Sequence, residues 1–131
     1  RSDATLNPGG VRIGTAEIYS VVDALEEVNE SVAITQEWDG DNRIVLFVIT
    51  SGTNELDTAL KEKIKTALRN QASPRHVPAI IIPVLDLPRT RSGKLSELAV
   101  KAVVEGIAVR NAEALANPEA LDYFKDLEEL Q

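Results

Sequence analysis

The feature that most constrains this chain is Ile44-Val45-Leu46-Phe47-Val48-Ile49, an unbroken apolar row inside the nearly continuous β-branched run Arg43–Thr50. Successive side chains of a strand point to opposite faces, so a strand that is apolar at every position needs cover on both. Such a strand belongs in the centre of a sheet with helices packed around it. The preceding segment, Ser31–Trp38, alternates loosely, and Asp39-Gly40-Asp41-Asn42 between the two is a hairpin signal.

The remaining segments supply the cover. A glycine-containing loop, Asn7-Pro8-Gly9-Gly10, leads into a short apolar piece, Val11-Arg12-Ile13. Thr15 can cap a helix running to about Glu27, with Ile18, Val21, Val22 and Leu25 on one face. Asn54 and Asp57 open a second helix to about Asn70, whose apolar stripe is Leu56, Leu60, Ile64, Ala67 and Leu68. Pro74 and Pro78 bracket a loop, and Ala79–Val84 reads as a third, buried strand. A helix from Leu95 to about Asn111 turns Leu98, Ala99, Ala102, Val103 and Ile107 inward. Asn117-Pro118 then starts a last helix bearing Leu121, Phe124 and Leu127. The order βαββαβα plus a C-terminal helix predicts a small, three-layer-like α+β domain: a short β-sheet packed by helices.

With 131 residues, 44% of them hydrophobic, the chain suits one domain and can bury a core. No apolar window nears the roughly 18 residues of a membrane span, and no secretory signal opens the chain. A membrane partner is therefore not expected. Zero cysteines exclude a disulfide framework and thiolate chemistry, and suit a reducing, cytoplasmic setting. Methionine is also missing and the chain opens on Arg1, so a cut from a longer protein is expected.

The net charge of −7 conceals an asymmetry: residues 1–60 carry −8, residues 61–101 carry +6 and residues 102–131 carry −5. An acidic chain with a basic middle third is a poor nucleic-acid binder but suits a small polyanion. Solvated helix faces account for the same clustering. Lys61, Lys65 and Arg69 recur at helical spacing beside the apolar stripe of the second helix, and their mutual repulsion calls for solvent or a bound phosphate.

Catalytic groups are few. His76 is the only histidine, which excludes a histidine-pair metal site, and between Arg75 and two prolines it reads as a loop residue rather than a base. No loop pairs two carboxylates for a hydrolase dyad. Ser92 lies near Lys94, but nothing else points to a serine nucleophile. Gly93-Lys94 fails as a phosphate-binding P-loop, because Pro88 stands where that motif needs glycine. What remains is a lysine on a glycine turn between a buried strand and a helix start, either reaching for a ligand or simply solvated.

Two stretches carry a family resemblance. Arg1-Ser2-Asp3 with Gly10-Val11-Arg12-Ile13-Gly14-Thr15-Ala16-Glu17-Ile18 resembles the hinge and glycine-loop motif of the adenylate-forming acyl-CoA synthetases. Leu87-Pro88-Arg89-Thr90-Arg91-Ser92-Gly93-Lys94 resembles their C-terminal lysine motif, at the separation that family shows. The tail, Asn111-Ala112-Glu113-Ala114-Leu115-Ala116-Asn117-Pro118-Glu119-Ala120-Leu121, is similar to that of the acetoacetyl-CoA synthetase group.

The resemblance implies that residues 1–131 are the single mobile C-terminal domain of a larger ligase, with a hinge at 1–4 and a helical tail at 107–131. The N-terminal domain, absent from this chain, would be its partner and would hold the acyl pocket. It implies ATP with Mg2+, coenzyme A and a small carboxylate as reactants, and no metal bound by this domain. Lys94 matches the lysine that contacts carboxylate and nucleotide during adenylation, and Asp3 the hinge residue. Arg1 and Arg12 match nucleotide-contacting arginines; Gly9 and Gly10 would line the pantetheine path. Gly9 departs from the serine of many acetyl-CoA synthetases. Arg69 matches an arginine at the nucleotide end of coenzyme A. In relatives the motif lysine is a target of reversible acylation, so a lysine acetyltransferase and a deacylase are further expected partners at Lys94. Other adenylation enzymes, such as luciferases and peptide-synthetase domains, share both motifs. A non-catalytic coenzyme A or nucleotide-binding module is the reading from another class.

Overall fold

In the computed structural model, residues 5–6, 13–38, 40–52, 55–93, 96–106, 115–125 and 127 are described. Two short strands, β1 (Thr5–Leu6) and β2 (Ile13–Gly14), pair antiparallel ahead of helix α1 (Thr15–Val22). Then come β3 (Val28–Trp38), β4 (Asp41–Thr50), α2 (Thr58–Gln71), β5 (Ile80–Pro83) and α3 (Glu97–Val104), with 3-10 turns at Pro74–His76 and Pro118–Phe124.

The main sheet has the order β3-β4-β5, so the doubly apolar strand is central, as its sequence demands. β3 and β4 form an antiparallel hairpin from Val28↔Thr50 to Trp38↔Asp41, and Gly40 takes φ 78 at the turn. That left-handed conformation costs glycine nothing and most other residues about 1 kcal/mol or more. α2 carries the chain across to β5, which runs parallel to β4 from Val45↔Ile80 to Val48↔Pro83.

Alternation along β4 builds two cores. Ile44, Leu46 and Val48 face Ile18 and Val22 of α1 and Leu60, Ile64 and Leu68 of α2. Val45 and Phe47 face the other way, toward Val84, Leu87, Val100 of α3 and Phe124. Residues 44–48 are all at most 2% exposed. The expected α+β sandwich is therefore present: helices, sheet, then α3 with the tail. The outer edge of β3 is met by Tyr19, whose hydroxyl accepts from the Ala33 N–H at 3.0 Å.

Four boundaries differ from the sequence reading, each for a physical reason. α1 stops at Val22 rather than Glu27, because tight turns (Leu25 N–H to Val22 O, Val28 N–H to Leu25 O) deliver the buried Val28 into the sheet. Gly14, not Thr15, is the cap residue of α1, and Thr15 is wholly buried. α2 is capped by Asp57, whose carboxylate accepts from Leu60 N–H at 2.8 Å; Asn54 lies outside the described residues. α3 ends at Val104 rather than Asn111: Gly106 takes φ 74 and its N–H returns to Val103 O, a glycine stop.

The segment after Asn117-Pro118 is a 3-10 turn rather than a regular helix, and Asn117 gives it no side-chain cap. Its apolar spacing still works, since Ala120, Leu121 and Phe124 are buried. Phe124 meets Phe47 edge-to-face, with ring centroids 4.8 Å apart and planes at 80°. Among the described residues, no helix is long and apolar enough to cross a membrane.

Phe124 is 1% exposed and is the tail's main anchor on the sheet. Phe124→Ala is expected to lower the unfolding free energy by about 3–5 kcal/mol, read from urea denaturation, because it opens a cavity over Phe47. A loss under about 1 kcal/mol would mean that the tail does not contribute to the core.

Candidate functional site

The segment joining β5 to α3 contains the lysine motif, and the structure describes it up to Gly93. Lys94 itself lies outside the described residues, as do Arg1, Asp3, Gly9, Gly10 and Arg12. Of the residues expected to touch ligands, Arg69 is placed.

The motif begins on a rigid base. Leu87 is fully buried, in the same core as Val84 and Val100. Pro88 O accepts from Ser96 N–H at 2.9 Å, closing the loop onto the start of α3. Thr90 O accepts from Gly93 N–H at 2.9 Å, and Gly93 takes φ 89, so the tip is a tight turn that favours glycine. Arg91, Ser92 and Gly93 are exposed there. The loop that presents Lys94 is thus solvent-facing at its tip and fastened at its base.

Arg89 is the loop's electrostatic anchor. Its guanidinium hydrogen-bonds and ion-pairs with Glu30 of β3, and both side chains are about one quarter exposed. That hydrogen bond, with Asp86 adding field, holds the guanidinium protonated more firmly than in water, against the opposing effect of burial. Arg89 therefore serves the fold, although its place in a cationic motif suggests a ligand contact. The fastening from the tail was not legible either. Asn117, read from sequence as a helix cap, sends its side chain to this loop instead, accepting from Arg89 N–H at 2.7 Å.

The second cationic element is α2. Lys61 and Lys65 are half-buried, and Arg69 is exposed in the last turn, where a cation complements the helix dipole. Lys63, two positions from both Lys61 and Lys65, pairs instead with Glu27 at 2.7 Å. Lys61, Lys65 and Arg69 make no ion pair with another described residue. α2 packs against the Ile44 face of the sheet, whereas Leu87 belongs to the Phe47 face. The two cationic elements therefore lie on opposite sides of one sheet.

His76 behaves as a structural residue. Its Nδ1 lies 2.6 Å from Ser73 Oγ and its Nε2 2.6 Å from Glu17 Oε2, tying the 3-10 turn to α1. Ser73 Oγ also accepts from Arg75 N–H as the cap of that turn. A hydroxyl already spent on a cap suits a staple better than a nucleophile. Nothing in the spacing of Glu17 and His76 could have revealed the pair, because α1 and the turn meet only in the fold.

Two surface clefts among the described residues bear on ligand binding. One, of about 260 Å³, is lined by Lys63 with Glu27, Glu55 and Asp57, a balance unsuited to phosphate. The other, of about 430 Å³, is lined by Leu56, Val84 and Leu85 among others, and Leu85 is 79% exposed. Among the described residues no cluster of three His, Asp or Glu side chains is arranged to hold a metal ion.

The hydrogen bond from Lys63 holds the Glu27 carboxyl below its ordinary range. A carboxyl depressed in the folded state contributes stability above its unfolded pKa and loses it as pH falls through the folded value. Lys63→Ala is accordingly expected to lower the melting temperature slightly at pH 7, with the difference from the unaltered protein fading below about pH 4. A difference independent of pH would assign Lys63 a packing role instead.

Comparison with known proteins bears on the family and the fold. The profile of the AMP-binding enzyme C-terminal domain matches residues 17–94. The acetoacetyl-coenzyme A synthetase of Rhizobium meliloti (strain 1021) is 62% identical over 131 residues, all of this chain and 20% of that protein. The acetoacetyl-CoA synthetase of Xenopus tropicalis is 46% identical over 132 residues, again 100% of this chain and 20% of the relative. Among solved structures, the acetoacetyl-CoA synthetase from Streptomyces lividans superposes with a TM-score of 0.84 at 36% identity, covering 94% of this chain and 19% of its own. A Brucella canis acyl-CoA synthetase gives 0.71 at 26% identity over 77% of this chain and 19% of its own. The chain thus spans about a fifth of the length of the curated relatives it matches. With a profile match over more than half its length, on a sheet that sets a lysine loop and a cationic helix on opposite faces, the chain belongs to the family of AMP-binding enzyme C-terminal domains.

Proposed function

We propose that this chain is the C-terminal domain of an AMP-forming acid–thiol ligase of the acetoacetate–CoA type, working in the cytoplasm. The observation that carries the reading is the 62% identity to an acetoacetyl-coenzyme A synthetase along the whole chain, tail included. The opposite placement of the lysine loop and the α2 cations supports it, because a two-step ligase needs different chemistry in each step.

In the first step a carboxylate oxygen of the substrate attacks the α-phosphorus of ATP, which arrives with Mg2+, and pyrophosphate leaves. The Lys94 ammonium, on the loop anchored by Leu87 and Arg89, would stabilise the negative charge gathering there. Arg1 and Arg12 would contact the nucleotide. In the second step the domain turns about Asp3, and the thiol sulfur of coenzyme A attacks the acyl carbon, expelling AMP. Gly9 and Gly10 would leave the pantetheine path free of side chains, and Arg69, exposed at the end of α2, would meet the phosphates at the nucleotide end. The N-terminal domain supplies the acyl pocket and is the partner against which this domain moves. Assay of the intact ligase with ATP, Mg2+ and coenzyme A tests the reading: acetoacetate should be used in preference to acetate. No AMP formation with any short carboxylate would overturn it.

Lys94→Ala in the intact ligase is expected to slow adenylation by roughly 10²–10³ while sparing thioester formation from supplied acyl-adenylate. Acetylation removes the same charge, so an acetyltransferase should reproduce the loss and a deacylase should reverse it. Equal losses in both half-reactions would refute this division of labour.

Arg69→Ala is expected to raise KM for coenzyme A by the equivalent of about 1.5–3 kcal/mol and to leave that for ATP nearly unchanged. An unaltered coenzyme A constant would return the α2 stripe to the role of solvated surface.

A further inference from the structure

The side chain of Asn117 is spent entirely on the base of the lysine loop. Its Oδ1 accepts from Arg89 N–H at 2.7 Å, while its Nδ2 donates to Leu87 O at 2.8 Å and to Asp86 Oδ2 at 3.0 Å. The backbone beside it adds two links. Ala116 N–H donates to Arg89 O at 2.8 Å, and Leu115 forms an antiparallel bridge with Thr90. Residues 115–117 therefore lie along residues 86–90 like a short extra strand, although 25 or more positions separate the two stretches.

Behind this contact the described residues of the tail are packed into the core. Leu115, Ala120, Leu121 and Phe124 are buried, and Phe124 rests on Phe47 of β4. The loop thus hangs from the central strand through the tail, as well as from Glu30 through Arg89. Ahead of Lys94, Gly93 is held by Thr90, which is bridged to Leu115; beyond it, Ser96 is held by Pro88, whose neighbours Leu87 and Arg89 bond Asn117. Apart from the Arg89–Glu30 pair, each of these fastenings leads back to the tail.

Resting on the proposed role of Lys94, we propose that Asn117 is a positioning residue for adenylation: it clamps residues 86–90 so that the loop presents the lysine in one geometry. An amide alone offers, on one planar group, the acceptor and the two donors these partners need. Alanine supplies neither. Aspartate keeps the acceptor for Arg89 N–H, loses both donors and sets a second carboxylate beside Asp86. A freed loop would sample many orientations, and a displacement of about 1 Å at a reacting centre costs up to about a hundredfold in rate. Thioester formation, which does not use this loop, should not respond.

The test uses the intact ligase carrying Asn117→Ala and, separately, Asn117→Asp. Adenylation, followed by acid-dependent exchange of pyrophosphate into ATP, is expected to fall about tenfold to a hundredfold in both variants, with KM for ATP little changed. Thioester formation from supplied acyl-adenylate should stay within about twofold, which also shows that the variants are folded. Amide hydrogen exchange at Arg89 should accelerate about tenfold or more in Asn117→Ala, which loses the acceptor, while Val45–Phe47 stay protected. Equal losses in the two half-reactions, or unchanged Arg89 exchange in Asn117→Ala with intact thioester formation, would overturn the clamp. Should the unaltered ligase fail to adenylate any carboxylate, the proposed function falls and the Arg89 exchange alone decides whether the clamp exists.

Discussion

The domain depends on the two-sided burial of β4. Residues 44–48 have almost no exposed surface, and each fully buried aliphatic or aromatic side chain contributes about 1.5–3 kcal/mol. Because consecutive residues point to opposite faces, one strand organises two cores, and neither can form without cover on its own side. α1 and α2 cover one face. On the other, α3 is only eight residues long, and the tail completes the cover with Phe124. The tail is therefore part of the fold and not an appendage to it.

That architecture explains how a small domain can present two distinct cationic elements. The loop from Leu87 to Gly93 leaves the Phe47 face, while Lys61, Lys65 and Arg69 flank the apolar stripe that α2 lays on the Ile44 face. The sheet is a rigid spacer between them. Under the proposed function, turning the domain as a body would exchange one element for the other without repacking a core, which is far cheaper than rebuilding a site within one face.

Periodicity made the sheet and its helices legible, because burial writes itself into the spacing of apolar residues. Arg43–Thr50 announced a central strand, and Leu60, Ile64 and Leu68 announced the inward stripe of α2, without reference to any other segment. Boundaries were less legible where a local stop overrides periodicity, as with Gly106 after α3 or the turns that feed Val28 into β3. Least legible were polar pairs joining distant segments: Glu17 with His76, Glu30 with Arg89, Asn117 with the lysine loop. Asn117 before Pro118 has the local signature of a cap, and only the folded structure shows the better partners it finds 28 to 31 positions away. The motif residues at Arg1, Asp3, Gly9, Gly10, Arg12 and Lys94 were read from resemblance and lie outside the described residues, so their roles rest on the proposed function.

An exposed glycine turn is a poor place to hold a charge that must meet a reacting centre. Fixing each loop residue costs about 1–2 kcal/mol of backbone entropy, and the exposed residues 91–93 bury little surface to offset it. The structure meets that cost at the base of the loop rather than at the tip. Leu87 is buried, Arg89 is paired with Glu30, and Leu87 O, Pro88 O, Arg89 O and Arg89 N–H are taken up by Asn117, Ser96 and Ala116. The tip, residues 91–93, is left exposed to solvent, while the origin of the loop is set by the hydrophobic core. Supporting groups outside the reacting shell are what convert a flexible charge into a positioned one. In this domain most of those groups come from segments far from the lysine in sequence, β3 and the tail, which is why a short local motif is not sufficient by itself to define the site.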